Sequence, residues 1–177
     1  LQSRPDQAER DRICHLMVES TLRFYYRMRW FFTDTHPGNF IIMTDGRLGV
    51  IDFGSIRTMT DEETAINNAF ERAMLQDDQG GMDQALAEAS LRASPSELPN
   101  EHLEKVKEFS LWQMPPWLRD GHVINGDETD YQRGINQLFE IIGKEYTSDR
   151  PLYLWSIRSV LGGRAMAYKL KGRVDFK

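Results

Sequence analysis

The sequence predicts a mainly α-helical chain with one small β-hairpin, which is an α+β arrangement. In six segments, apolar residues recur at steps of three and four, the spacing of an amphipathic helix. Only residues 40–51 differ strongly: there, two short β-branched and aromatic runs flank an Asp-Gly turn. Helices therefore supply most of the expected core, with the hairpin set among them.

Composition and charge narrow the functional classes. The 177 residues are 40% hydrophobic and 28% charged, which is ordinary for a globular domain. A net charge of −5 argues against nucleic acid as the principal partner. No apolar run approaches the roughly 18 residues of a membrane span, and the polar start does not resemble a signal peptide. A single cysteine, Cys14, excludes an internal disulfide and favours a reducing compartment. We expect a cytoplasmic or organellar matrix-side protein that is not secreted.

The first helix is expected over residues 6–29, with Cys14 on its core-facing side. A second helix should start at Thr60, because Thr60 and Glu63 have the spacing of a capping box. Asp77 and Asp78 should end it as a solvated terminus, and Gly80-Gly81 should break the chain.

Four later helices are expected at residues 82–89, 100–113, 131–142 and 151–170. The third of these carries an apolar stripe that includes Phe139 and Ile142. The last contains Gly162-Gly163, which would permit close packing against another helix. Residues 94–99 are interpreted as a linker and residues 119–130 as an exposed acidic loop.

The hairpin brings three polar side chains toward one point. Its strands are predicted at residues 40–43 and 48–51, joined by an Asp-Gly sequence that tolerates the positive φ of a primed turn. Because a hairpin joins its outer ends, Asn39 should lie near Asp52, and Asp34 enters the same loop five positions before Asn39. Carboxylate and amide oxygens of this kind suit Mg2+ carrying phosphates.

This spacing is a kinase signature. The kinase catalytic loop also places an Asn five residues after its Asp, and an Asp-Phe-Gly follows the next hairpin. In that chemistry Asp34 would accept the proton of the nucleophile, while Asn39 and Asp52 would hold Mg2+ against the phosphates of ATP. Five neighbouring residues are predicted to shape the two loops: His36, Pro37, Gly38, Phe53 and Gly54.

The residues of these motifs resemble those of the UbiB/AarF family of atypical kinases. Phe-Phe-Thr-Asp-Thr-His-Pro-Gly-Asn-Phe, followed by Leu-Gly-Val-Ile-Asp-Phe-Gly, is similar to the catalytic segment of that family. A second match lies far downstream and resembles the C-terminal helix of the family, at Arg158, Gly162, Gly163, Lys169 and Leu170. The resemblance implies kinase or ATPase chemistry with ATP and Mg2+ in quinone-lipid metabolism, notably ubiquinone biosynthesis.

The chain also departs from the family pattern. Thr35 stands where many relatives have Pro, and the hallmark Lys-x-Gly-Gln motif, the nucleotide loop and the phosphate-anchoring Lys are absent. Only 33 residues precede Asp34, too few for a nucleotide-binding lobe. We therefore expect residues 1–177 to form a protein-kinase-like C-lobe whose N-lobe is missing, with residues 30–57 as its site. Such a chain should bind ATP weakly by itself.

The acceptor and the partners are less defined. Only residues 55–59 separate Asp-Phe-Gly from the next helix, too few for the activation segment that presents a peptide, which favours a small-molecule, lipid or other acceptor. The basic tail, residues 169–177, leaves contact with an anionic membrane as an alternative to simple solvation. Two other functions remain open: an aminoglycoside/choline kinase-like phosphotransferase, and an inactive pseudokinase-like interaction module.

Overall fold

A computed structural model describes residues 5–89, 99–113, 123–147 and 151–175. Six α-helices occupy most of these ranges, and their bounds are α1 Gln7–Met28, α2 Asp61–Leu75, α3 Gln79–Ala89, α4 Asn100–Gln113, α5 Glu128–Gly143 and α6 Pro151–Leu170. Residues 94–98 of the predicted linker and the first part of the predicted acidic loop lie outside the described residues.

Short antiparallel strand pairs join the helices. The strands are β1 Trp30–Phe32, β2 Phe40–Ile42, β3 Leu48–Val50, β4 Ile56–Thr58, β5 Ile124–Asn125 and β6 Arg173–Val174. They pair as β1 with β4, β2 with β3, and β5 with β6. The prediction of a mainly α chain with a small β-hairpin is confirmed; besides the predicted hairpin, the described residues form two strand pairs that the sequence did not indicate.

Local signals set the ends of the first two helices. Asp6 caps α1 by accepting from the Glu9 amide at 2.8 Å, and α1 ends where Arg29 turns left-handed at φ 56°. The Thr60–Glu63 capping box is present in both directions, at 3.1 and 2.9 Å. These two helices flank β1 to β4 in the sequence.

The break after α2 falls earlier than Gly80-Gly81. The chain turns at Asp77, whose φ is 51°, and the Asp78 carboxylate accepts from the Gly81 amide at 3.0 Å. Asp78 therefore caps the start of α3, so that Gly80 and Gly81 lie inside this helix. Asp77 and Asp78 follow the end of α2 and are exposed, as expected, but the predicted break at Gly80-Gly81 was wrong, because the Asp78 carboxylate satisfies a free amide of the following helix.

The core comprises three clusters of buried side chains. The largest joins α2, α3, α4, α5 and α6, with Val106 and Phe109 fully buried. On α5 the buried positions are Gly134, Leu138 and Ile141, whereas Phe139 and Ile142 are 69% and 53% exposed, so the predicted stripe was wrong for those two residues. Asp127 caps α5, and the helix therefore occupies the end of the predicted acidic loop.

The second cluster ties the C-terminal residues to α1. Val174 on β6 is fully buried, and the Arg173 amide donates to Asp11 at 2.7 Å. Cys14, as expected, faces this core, where it is 1% exposed and packs against Gly172. Much of the basic tail is thus bound to the fold. Among the described residues, no helix has both the length and the hydropathy to span a bilayer.

Candidate functional site

The site is held by the β1–β4 pair, which places the entry to the predicted catalytic loop beside the exit from Asp-Phe-Gly. Phe32 lies opposite Ile56, and pairing extends one residue further, because the Thr33 amide donates to the Ser55 carbonyl at 3.1 Å. The Thr33 hydroxyl also contacts the Ser55 hydroxyl at 2.7 Å. Thr33 is 5% exposed, so this junction is a buried, fixed point one residue before Asp34.

The predicted hairpin is formed by β2 and β3, with Phe40 opposite Val50 and Ile42 opposite Leu48. Each strand ends one residue earlier than expected, β2 at Ile42 and β3 at Val50. The connection is a three-residue loop in which Gly46 alone has positive φ, at 83°. The expectation of a primed turn was wrong; a turn closed by the Gly46 amide on the Met43 carbonyl is followed by one left-handed residue.

Asn39 connects the two predicted site loops. Its side-chain amide donates to the main-chain carbonyl of Asp34 at 3.0 Å, and its own carbonyl accepts from the Ile51 amide at 3.1 Å. Asn39 is thereby fixed to the loop of Asp34 on one side and to the residue before Asp52 on the other. The first bond uses the nitrogen of the side-chain amide, whereas a metal ion would bind the oxygen.

Asp52 is exposed and lies two residues after the end of β3. One carboxylate oxygen, Oδ1, accepts from the Gly54 amide at 2.8 Å, which fixes the side-chain rotamer. Phe53 packs edge-on against Phe24 of α1 with ring centroids 5.9 Å apart, and lies 6.3 Å from Phe32. The Asp-Phe-Gly turn is therefore attached to α1 and β1 through aromatic contacts, with its acid directed outward.

The segment between Asp34 and Asn39 is shaped by local bonds. His36 Nδ1 accepts from the Gly38 amide at 3.0 Å, and the Asn39 amide donates to the His36 carbonyl at 2.9 Å. Pro37 opens the single 3-10 turn, Pro37–Asn39, that results. A side chain on Gly38 would place its Cβ 3.0 Å from His36 Nδ1, so glycine gives this turn its room.

Two residues of α6 also contact this loop, and sequence reasoning missed their role. The Ser159 hydroxyl donates to the Phe32 carbonyl at 3.1 Å. Gly162, one turn further along α6, lies directly against Thr35, which is 6% exposed. The sequence indicated close packing at Gly162 but assigned it to another helix, whereas the partner is the loop itself.

The predicted ligands for Mg2+ are one amide and one carboxylate, from Asn39 and Asp52. The described residues contain no cluster of three or more His, Cys, Asp or Glu side chains. Mg2+ in nucleotide sites keeps waters and phosphate oxygens and takes only one or two carboxylates from the protein. The donor set therefore fits a magnesium ion delivered with phosphates and would not form an all-protein metal cage.

The segment after Gly54 is short and structured. Residues 56–58 return along β1 as strand β4, and α2 begins at Asp61. Arg57 on β4 forms an ion pair with Glu63 of α2 at 2.5 Å. Burial alone would raise the pKa of the Glu63 carboxyl, but hydrogen bonds from Arg57 and the Thr60 amide outweigh burial and hold that pKa below its usual value.

Two comparisons show which known proteins this chain is similar to. Residues 2–86 match the model of the ABC1 atypical kinase-like domain. Over 96% of its length the chain is similar to Rv3197 of Mycobacterium tuberculosis, solved in complex with erythromycin, at 19% identity and a TM-score of 0.64. It covers 42% of that protein, so it spans about two fifths of the length, and the likeness shows the fold alone.

Together, the match over residues 2–86 and the structural likeness support a kinase-like fold for this chain. The match over residues 2–86, the segment that carries the predicted site, confirms the resemblance to the UbiB/AarF atypical kinases seen in the catalytic-loop and hairpin motifs. No curated protein sequence matches the chain.

Proposed function

We propose that this chain supplies the magnesium-binding and nucleophile-orienting half of an atypical kinase or ATPase. Asp34 is the general base, and Asn39 and Asp52 hold Mg2+ against the phosphates of ATP. The observation that carries the proposal is the pair of bonds made by Asn39, to the Asp34 carbonyl at 3.0 Å and from the Ile51 amide at 3.1 Å.

These bonds have a direct chemical consequence. Phosphoryl transfer asks the protein mainly to position groups and to neutralise charge. A residue bonded to one loop through its side chain and to the other through its main-chain carbonyl restrains the distance between the proposed base and the proposed metal ligands. When bound, Mg2+ would supply charge neutralisation at the phosphates, and the residues of the chain would fix where it sits.

The surroundings support a covered, nucleotide-bearing site. Ile51 and Phe53, on either side of Asp52, are 60% and 48% exposed, and Ile41 on the paired strand is 48% exposed. Apolar side chains next to an acid are typical of a surface that another element or a nucleotide ring covers. This arrangement agrees with the expectation that a nucleotide-binding lobe lies above the hairpin in the complete protein.

The acceptor is proposed to be a small molecule or a lipid. Residues 55–60 are used by β4 and by the cap of α2, which leaves no segment to present a peptide in the manner of protein kinases. The family resemblance further suggests work in quinone-lipid metabolism, notably ubiquinone biosynthesis. In cells that lack the gene, the complete protein should restore quinone levels and Asp52→Asn should not.

Turnover of ATP by the complete natural protein tests the proposal. Asp34→Asn and Asp52→Asn should each lower kcat by about a hundredfold or more, because each removes a group used at the reacting phosphate. Asp45→Asn is the matched control: it alters an exposed acid at the opposite end of the same hairpin and should leave kcat unchanged. Equal activity of all three variants would contradict the assignment, and absence of Mg-ATP binding in the wild type would favour an interaction module.

A further inference from the structure

We propose that Ser159 and Gly162 of α6 are positioning residues for Asp34. The proposal rests on the proposed function, since it assigns Asp34 the role of base. These residues contact the end of β1 and the loop that follows it, although Ser159 is 127 residues from Phe32 in the sequence.

The first contact fixes the chain before Asp34. Ser159 is 8% exposed, and its hydroxyl donates to the carbonyl of Phe32, which is fully buried, at 3.1 Å. Phe32 ends β1 two residues before Asp34. A buried hydrogen bond to a main-chain carbonyl restrains the peptide itself, so that α6 and the end of β1 hold a constant separation.

The second contact fixes the chain after Asp34. A Cβ at Gly162 would lie 2.9 Å from Thr35 Cβ and 3.3 Å from Thr35 Cγ2, and closer still to Thr35 Oγ1. The backbone of α6 therefore lies directly on the Thr35 side chain, with no room for a methyl group between them. Because Thr35 is β-branched and buried, it has little freedom to turn away.

Together the two contacts bracket Asp34 from behind, while Asn39 holds its carbonyl from the hairpin side. The carboxylate of Asp34, by contrast, belongs to a partly exposed residue. The base is thus presented on a peptide restrained on three sides. A shift of about 1 Å in such a group is enough to lower turnover by roughly a hundredfold.

Adjacent glycines provide a matched pair of variants. Gly162→Ala must displace Thr35, whereas a Cβ at Gly163 meets nothing within 4 Å. Both substitutions lie in α6 and gain the same helix propensity. In the complete protein, Gly162→Ala should lower kcat by about tenfold to a hundredfold, with the KM for Mg-ATP changed by less than about threefold, and Gly163→Ala should match the wild type.

A second substitution in Thr35 tests whether the effect passes through this contact. Thr35→Ala removes Oγ1 and Cγ2, leaving one Cβ contact of 2.9 Å with the alanine at 162. The double variant Gly162→Ala/Thr35→Ala should therefore regain kcat to about the level of Thr35→Ala alone, which lacks the packing against α6 and should lie only a few-fold below the wild type. A double variant as slow as Gly162→Ala, or slower, would overturn the proposal.

If Gly162→Ala does not fold, Ser159→Ala provides a second test. This substitution only removes a hydroxyl, so it introduces no clash. It should lower kcat several-fold without changing the KM for Mg-ATP, and Ser159→Thr, which keeps the hydroxyl, should recover most of the loss. If kcat in Ser159→Ala equals that of the wild type while Gly162→Ala and Gly163→Ala behave alike, α6 does not position the base.

A structural readout separates this proposal from the proposed function. The methyl signal of Thr35 in NMR spectra, and amide exchange of residues 33–39, should change in Gly162→Ala and not in Gly163→Ala, with or without ATP turnover. If the wild type lacks Mg-ATP activity, the proposed function fails by itself. An unchanged Thr35 signal in folded Gly162→Ala would contradict the positioning claim whatever the activity.

Discussion

The side-chain amide of Asn39 donates a hydrogen bond of 3.0 Å to the main-chain carbonyl of Asp34. The same residue begins the hairpin that ends at Asp52, and its carbonyl accepts from the Ile51 amide. One residue therefore links the loop of the proposed base to the strand of the proposed metal ligand. In the proposed function, the side-chain nitrogen of Asn39 holds the Asp34 loop and its side-chain oxygen would bind Mg2+, and these two roles can be separated experimentally.

Asn39→Asp keeps an oxygen for Mg2+ but replaces the donor to Asp34 with a carboxylate, which repels the carbonyl it faces. We expect kcat in the complete protein to fall by about tenfold to a hundredfold, with no loss of Mg2+ affinity. A Mg2+ titration of ATP turnover measures both quantities. Asn68→Asp, on the exposed surface of α2, is the control and should resemble the wild type. Weakened Mg2+ affinity of Asn39→Asp, with a normal kcat at saturating Mg2+, would contradict these separate roles of the side-chain nitrogen and oxygen.

Gly46→Ala should destabilise the hairpin, because φ at Gly46 is 83° and an L side chain is strained there. The expected loss of unfolding free energy is about 1 kcal/mol. Gly49→Ala, in β3 of the same hairpin, is the control: its Cβ would meet Ile41 and Met43 atoms only at 3.6–4.0 Å, ordinary contact distances. It should be neutral or slightly stabilising. Urea unfolding of both variants checks the difference, and equal losses would show that the turn conformation is not the cause.

The Arg57–Glu63 ion pair, at 2.5 Å, should make part of the stability depend on pH. Hydrogen bonds hold the pKa of Glu63 below its usual value against the effect of burial, so the folded state favours the carboxylate. The contribution of the ion pair to the free energy of unfolding is therefore complete above the pKa of Glu63 in the unfolded chain, about 4.5. It is lost as the pH falls through the lower pKa of the folded state.

Glu63→Gln should accordingly cost about 1–2 kcal/mol at pH 7 and progressively less in acid. Glu62→Gln, its exposed neighbour in the first turn of α2, should cost only a few tenths of a kcal/mol and serves as the control. Chemical unfolding at a series of pH values compares the two. A loss for Glu63→Gln that stays constant down to strongly acid pH would rule out the ion pair as its source.

Cys14 should be unreactive in the folded protein. Burial, helped by the nearby Asp11 carboxylate, raises the pKa of the Cys14 thiol to about 11, and the residue is 1% exposed. At pH 8 only about one thiol in a thousand would be a thiolate. Reaction with Ellman's reagent should be slow in buffer and fast in guanidinium chloride. Fast reaction under native conditions would mean that the contact between α1 and Gly172 is open in solution.

Much of this arrangement could be predicted from the sequence because its causes are local. The capping box at Thr60 and the nearness of Asn39 to the end of the second hairpin strand depend on residues a few positions apart. The turn type was missed, since Asp-Gly is compatible with both a primed turn and a three-residue loop. The start of α3 was missed because a carboxylate can cap a helix or simply be solvated, and sequence does not distinguish the two.

The contacts between α6 and the loop could not be predicted, for a different reason. A serine and a glycine are common in helices for many reasons. No sequence pattern around Ser159 or Gly162 indicates that they contact Phe32 and Thr35. The exposure of Phe139 and Ile142 was also missed, because a helical stripe gives the period of burial but leaves its exact face to the neighbouring helices. Such long-range relationships follow only from the assembled fold.

The most direct test of the central claim is calorimetric titration of Mg-ATP into the complete protein and its Asp52→Asn variant, with Asp45→Asn as control. We expect Mg2+-dependent binding in the wild type and in Asp45→Asn, and a loss of at least tenfold in affinity in Asp52→Asn. Binding of equal affinity in all three proteins, or binding that is independent of Mg2+, would contradict the role of Asp52 as a metal ligand.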